Sequence, residues 1–399
     1  MNVIPYALAV EKLTDAFGKI LVTETVPVSC AMARILACDV YSPEDFPPFD
    51  RSTVDGYAHS YKDSSAASAA VPSVLTLKGE VAMGEYTEAR INSGECFYVP
   101  TGAMLPAGAD AVTMIENAEV SNGEVYVSSS LHRGENVVFK GADVHVGETV
   151  IRRGERLLSP EIGLLCSLGI NFVRVYKKLS FYVVSTGDEL VAPDEECQKG
   201  KIRDTNTAVL TAELSGIGNV VGAMTVNDDY NKLSATVRKG LSEADVVILS
   251  GGSSVGKADY TAKLFSEYGR PLFGGVAVKP GKPTLAAEAD NKLLIGLPGH
   301  PMAAFTSYRL IVLRALLNAC GSDTEPPVVC RAAKNFPGGR GRSAVIPVRL
   351  VNKDEFTAAE PLFYKSGMLS VISSADGFAL LPDYVEGVPA GAPLEVYRI

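Results

Sequence analysis

The sequence predicts a multidomain protein of α/β and β class: a doubly wound, mostly parallel α/β domain, an inserted β-domain, a discontinuous α+β N-terminal domain and a C-terminal β-barrel-like domain. Three observations predict it. At 399 residues the chain exceeds what one hydrophobic core organises, so roughly two to four domains are expected. Between residues 178 and 321 apolar runs alternate with helical stretches, the pattern of a parallel sheet with helices on both faces. On either side of that region short β-type runs are separated by Gly, Pro and Asn-Gly turns.

Taken in order, Ala9, Leu13, Phe17 and Ile20 recur at helical spacing and predict an amphipathic helix over Tyr6 to Leu21. Pro43, Pro47, Pro48 and Gly56 then break regular structure and mark a rigid entry into a new domain. Residues 49–137 read as a small all-β domain, with "SNGEVYV" as its clearest hairpin. After Val138 come a strand-turn-strand and a helix that Ser159 can cap, with Pro160 at its first position, so 138–177 is expected to complete the N-terminal domain begun by 1–48. Residues 178–323 are assigned to the α/β domain, with apolar strands "LSFYVVS", "GNVVGAMTV", "DVVILS", "GGVAVKP" and "KLLIGLP". Residues 324–399, opening on "EPPVV", read again as strands and turns.

Composition narrows the function. Apolar residues at 47% and charged residues at 21% are globular values, so the chain is expected to fold throughout. No signal peptide and no apolar run long enough for a bilayer is seen, which predicts a cytoplasmic protein without a membrane partner. A net charge of -9 argues against nucleic acid as the main partner. The seven cysteines are scattered, without a C-x-x-C pair, so neither a disulfide framework nor a zinc site is expected. Nor do the four histidines show acid-base pairing.

In a parallel sheet, ligands bind outside the carboxyl ends of the strands. The loops following the five apolar runs are "TGDEL", "NDD", "GGSSVGKAD", "KPGKP" and "GLPGHP", all expected on one edge. That edge collects Asp188, Glu189, Asp228, Asp229 and Asp259 beside Lys279 and Lys282, a donor set suited to a magnesium-bridged phosphate. Gly251 and Gly252 permit close backbone approach, and Pro301 opens a helix whose first amides would face an anion. For Asp228 and Asp229 a plain helix-cap role is an equal alternative. "GGSSVGK" is one hydroxyl short of a nucleotide phosphate loop. Ala258 stands where that loop needs Ser or Thr, so a phosphate-loop ATPase is disfavoured.

The ordered motifs "PPFDRSTVDGYA", "PTGAMLPAGADAV", "STGDEL", "DTN", "SGGSSVGKADY", "KPGKP" and "GLPGHP" resemble those of the molybdopterin molybdotransferase family, to which the C-terminal domain of gephyrin belongs. The resemblance runs from about Pro5 to the C-terminus. It implies an α/β domain of molybdopterin-binding type and a homodimer with an active site shared between subunits. The implied reaction inserts molybdate into adenylyl-molybdopterin with release of AMP, using Mg2+. Molybdopterin adenylyltransferase and apo-molybdoenzymes are the protein partners it suggests.

Carried over by motif, Asp55, Thr101, Asp143, Glu189, Asp228 and Asp259 are the candidate catalytic residues, with Glu189, Asp228 and Asp259 also around the metal. Substrate contacts are expected from Ser250, Gly251, Gly252, Ser254, Gly256, Lys279, Lys282, Pro298 and Gly299, and from Arg340, Arg342 and Ser366 on the pterin side. His300, Ser253 and Phe139 depart from the family pattern. Two other readings stand beside this one: an adenylyltransferase, which the flanking β-domains oppose, and a gephyrin-like scaffold that binds peptides without the carboxylates.

Overall fold

A computed structural model describes residues 3–251, 258–322, 327–353, 356–363 and 368–399, without the side chains of 258 and 259. The chain divides into two compact units. One comprises residues 39–152 with 159–171, the other 1–38, 153–158 and 172–399.

The larger unit contains a six-stranded sheet in the order Asn219–Val226, Ser180–Thr186, Val246–Gly251, Lys292–Leu297, Leu285–Ala289, Arg270–Phe273. Its first four strands are parallel, in a register that aligns Val183 with Ala223 and Ile248, and Ile248 with Ile295. The last two are antiparallel. Along each central strand successive apolar residues point to opposite faces, so both faces are buried. Phe181, Val183, Ile248 and Ile295 join one core with Leu210 and Leu214 of the Asn206–Ser215 helix. Tyr182, Val184, Leu249 and Leu294 join the other with Leu233 and Val237 of the Tyr230–Glu243 helix. The N-terminal helix Tyr6–Ile20 buries Ala9, Leu13, Ala16 and Phe17 in the first of these cores.

The run "GGVAVKP" is a correction. It is not a strand of this sheet: Val278–Lys279 pairs in parallel with Ser343 and Ala344 of the C-terminal region. There it is the edge strand of a second six-stranded sheet, whose other five strands are closed into a barrel by the pairing of Ser343–Lys353 with Gly377–Leu381. The expected strand Lys292–Leu297 is in the sheet, and beside it the chain adds Leu285–Ala289 as the other arm of an antiparallel hairpin. Its turn residues Asp290 and Asn291 have φ of 43° and 62°, the left-handed values that a two-residue hairpin loop demands.

The smaller unit contains a mixed sheet in the order Ala111–Met114, Gly56–His59, Glu95–Val99, Ser73–Glu80, Glu124–Val127, Ala118–Ser121. Asn122 and Gly123, with φ of 53° and 81°, make the expected Asn-Gly turn and pair Ser121 with Glu124. His59 is fully buried here, its ring nitrogens against Ser60 O and Thr113 Oγ1, each at 2.8 Å. Burial holds that imidazole below its usual pKa. Two of the three exposed histidines have acidic neighbours: His132 meets Glu135 and His145 lies 3.7 Å from Asp45, pairings that a linear reading does not anticipate. Among the described residues, no helix is long and apolar enough to cross a membrane.

Candidate functional site

Strand order reverses direction between Ser180–Thr186 and Val246–Gly251, because the chain leaves the first strand toward Asn219–Val226 and the third toward Lys292–Leu297. Such a switch point splays the following loops apart and leaves a crevice. A cavity of about 750 Å3 opens there, lined by Thr186, Gly187, Glu189, Asp204, Asn206, Asp228, Ser250, Gly251, Gly299 and His300 among others.

Its acidic wall is built from two neighbouring strand ends. Thr186 Oγ1 donates to Asp228 Oδ1 at 2.9 Å, and the Asp228 N–H donates to Asp188 Oδ1 at 3.0 Å, so the loops are tied by their own carboxylates. The Glu189 carboxylate folds back over Gly187, 2.8 Å from where a Cβ would stand. The two adjacent aspartates divide the roles left open above: Asp229 caps the Tyr230–Glu243 helix, accepting from Lys232 N at 2.9 Å, whereas Asp228 turns toward Thr186 and lines the cavity.

The floor is polar and buried. Asn206 Nδ2 donates to Ser250 Oγ at 2.7 Å and to Gly299 O at 2.8 Å, and Ser250 Oγ donates to Pro298 O at 3.2 Å. Asp204, 3% exposed, accepts from Thr207 N at 3.1 Å, Thr207 Oγ1 at 2.5 Å and Thr225 Oγ1 at 2.7 Å. Asp204 and Asn206 stand in the motif "DTN", where nothing in the linear spacing signals a role for either. Gly251 closes the floor with φ of 117°, and a Cβ there would stand 2.2 Å from Thr186 O on the adjacent strand. Gly251→Ala is therefore expected to cost about 2 kcal/mol or more in stability, read as a lower urea midpoint with an unchanged slope.

The structure thus brings Glu189, Asp228, Ser250, Gly251 and Gly299 to one cavity, with Pro298 beneath it. Lys279 and Lys282 are exposed and do not line it; Lys279 borders a separate cavity of about 350 Å3 with Pro280, Pro337, Gly338 and Ala344. This follows from the correction above, since "KPGKP" does not end a strand of the α/β sheet. Arg340 is exposed at φ of 52° and Arg342 half-buried in the turn before the Ser343–Lys353 strand, also away from the acidic cavity. Gly252, Ser253, Ser254, Gly256, Ser366 and the Asp259 side chain lie outside the described residues. Among the described residues, no three His, Cys, Asp or Glu side chains form a preformed metal site.

In the smaller unit, the Asp55 carboxylate accepts from Thr101 N at 2.6 Å and from Thr101 Oγ1 at 2.8 Å. The two hydrogen bonds from Thr101, the backbone one first, hold Asp55 below the usual carboxylate pKa. Asp143 is exposed on a turn, where the N–H groups of 143 and 144 both donate to Phe46 O at 3.1 Å.

Comparison with known proteins covers nearly the whole chain. Residues 4–169 match the MoeA N-terminal region (domain I and II), 182–318 a probable molybdopterin binding domain, and 329–399 the MoeA C-terminal region (domain IV). A molybdopterin molybdenumtransferase of Staphylococcus epidermidis is 32% identical over 371 residues, covering 92% of this chain and 88% of its own. That of Staphylococcus aureus is 29% identical over 400 residues, covering 99% and 95%. Among solved structures, a molybdopterin biosynthesis MoeA protein from Pyrococcus horikoshii superimposes with a TM-score of 0.84 at 29% identity, covering all of both chains. A second structure of a molybdopterin biosynthesis MoeA protein from the same source gives 0.80 at 35%, covering 100% and 99%.

Proposed function

The chain belongs to the molybdopterin molybdenumtransferase family, transferases of molybdenum cofactor biosynthesis, and we propose that the cavity at its parallel-strand ends holds adenylyl-molybdopterin while molybdate is inserted and AMP is released. The observation that carries this reading is the pairing of an acidic wall, Glu189 and Asp228 with Asp188 bound behind Asp228, with a buried hydrogen-bonded floor at the switch point of the sheet.

Breaking the phosphoanhydride places developing charge on phosphate oxygens, and groups already aimed at those oxygens lower the barrier. Ser250, Gly251 and Gly299 let the phosphates approach the floor closely. Thr186 orients Asp228, so the carboxylate needs no reorganisation when substrate arrives. A magnesium ion takes hard oxygen ligands and is held by one or two carboxylates plus substrate phosphate. Glu189 and Asp228, with Asp259, are the residues to hold it, and the ion would supply charge compensation for the anhydride oxygens. Lys279 and Lys282 stay in this reading as anion contacts on the motif resemblance alone. The active protein is read as a cytoplasmic homodimer in which Asp55, Thr101 and Asp143 serve the cavity of the partner copy.

The test is AMP release from adenylyl-molybdopterin with magnesium, with and without molybdate, and with ATP as control substrate. The expected result is release that requires molybdate and yields a cofactor able to activate an apo-molybdoenzyme. ATP turnover indifferent to molybdate would overturn the reading.

A further inference from the structure

We infer that Asn206 is a positioning residue of this site, whose side-chain amide clamps two neighbouring strand ends together beneath the substrate; the inference rests on the reading of the cavity just given. The Val246–Gly251 and Lys292–Leu297 strands are paired in parallel only as far as Ser250 opposite Leu297. Beyond that point the chains diverge to form the cavity, and backbone pairing no longer fixes their separation. Asn206 takes over there, one amide proton going to Ser250 Oγ on the first strand and the other to Gly299 O just past the second. Ser250 Oγ donates in turn to Pro298 O at 3.2 Å.

The orientation of the amide follows from chemistry. Gly299 O can only accept, so the group facing it is the NH2 and not the amide oxygen. Both protons of that NH2 are therefore used within the clamp.

Asn206 is itself held from behind. It opens the Asn206–Ser215 helix, and Asp204 two residues earlier accepts from Thr207 in the first turn and from Thr225 on the outer strand. The clamp thus ties the outer strand, through the helix start, to the two central strand ends. Ser250 and Gly299 line the cavity, so their spacing sets the shape of the floor. A shift of about 1 Å in such a floor costs up to roughly a hundredfold in rate. The loss falls mainly on kcat when the misplaced contacts tighten in the transition state.

The experiment uses the full chain and compares the parent protein, Asn206→Ala, Ser250→Ala and the double variant in molybdate-dependent AMP release, with thermal unfolding of each. The expected result for Asn206→Ala is a kcat lower by about tenfold or more, with KM for adenylyl-molybdopterin changed less than about threefold. The double variant is expected to lose clearly less than the product of the two single losses, because both substitutions break one shared contact. A kcat for Asn206→Ala within twofold of the parent overturns the inference, and so do effects that simply multiply. Failure of Asn206→Ala to fold would make the residue architecture and not a positioning device, which also overturns it. A parent protein that releases no AMP would instead overturn the reading of the cavity.

Discussion

Asp228→Asn is expected to lower kcat for molybdate-dependent AMP release by about a hundredfold or more, while leaving the unfolding midpoint within about a degree of the parent. Asparagine keeps the shape and keeps an oxygen for the Thr186 hydroxyl, which donates to Asp228 at 2.9 Å. It removes the charge and turns one acceptor oxygen into an NH2 donor. Any loss therefore measures the carboxylate's charge and acceptor capacity and not the packing. The neighbouring residue supplies the control, because Asp229 is spent on the Lys232 N–H at the helix start. Asp229→Ala should cost about 1 kcal/mol of stability as a lost cap and leave kcat unchanged. Equal kinetic losses at both positions, or none at Asp228, would contradict the division of roles between two adjacent carboxylates.

The second large effect concerns Asp55. Replacing it by alanine removes the acceptor shared by the Thr101 N–H and hydroxyl. In the proposed function this is expected to reduce kcat by about a hundredfold. If Asp55 and Asp228 serve one site contributed by two copies, two inactive proteins should complement each other. Mixing Asp55→Ala with Asp228→Asn protomers in equal amounts makes half the dimers mixed, each with one intact site, so about a quarter of parental activity should return. Mixtures that stay inactive after verified subunit exchange would place all the residues of a site on one chain.

The pH dependence has a definite sign. Asp55 is depressed from an ordinary 3.8 by its hydrogen bonds, so the stability this link contributes is present above that value and is lost only as pH falls toward the lower folded-state pKa. A pH-rate profile between 5 and 8 should show no inflection from Asp55.

What could be read from the chain was what is written locally. The alternation from residue 178 onward, the helix built on Ala9, Leu13 and Phe17, and the Asn122–Gly123 turn all depend on neighbours in sequence, and periodicity or turn chemistry reports them. The carboxylates at the strand ends were legible because a strand's carboxyl terminus is fixed once the strand is. Val278–Lys279 was not legible, since an apolar run of that length does not say which sheet it will join and its partner lies in the far C-terminal region. The following hairpin carried a signal in Asp290-Asn291, a pair that tolerates left-handed φ, but the modest "TLAAEA" before it does not announce a strand. Asn206 escaped for another reason. An Asn opening a helix reads as a cap, and only the fold reveals that its amide is committed to Ser250 and Gly299 instead.

The Val278–Lys279 strand also bears on how the protein can be taken apart. A boundary drawn near residue 329, where one sequence region ends and another begins, is not a boundary in hydrogen bonds. Ser343 N donates to Ala277 O at 2.9 Å, and Phe378 stacks edge-on against Phe305 with centroids 6.0 Å apart. Excising the C-terminal barrel would leave its ring of five strands closed but would strip the Val278–Lys279 strand from Ser343 and Ala344, leaving that short edge of the barrel unpaired. The barrel is thus not a cassette to be swapped among relatives at a linker, and a working chimera must carry the donor's segment around 276–284 along with its barrel.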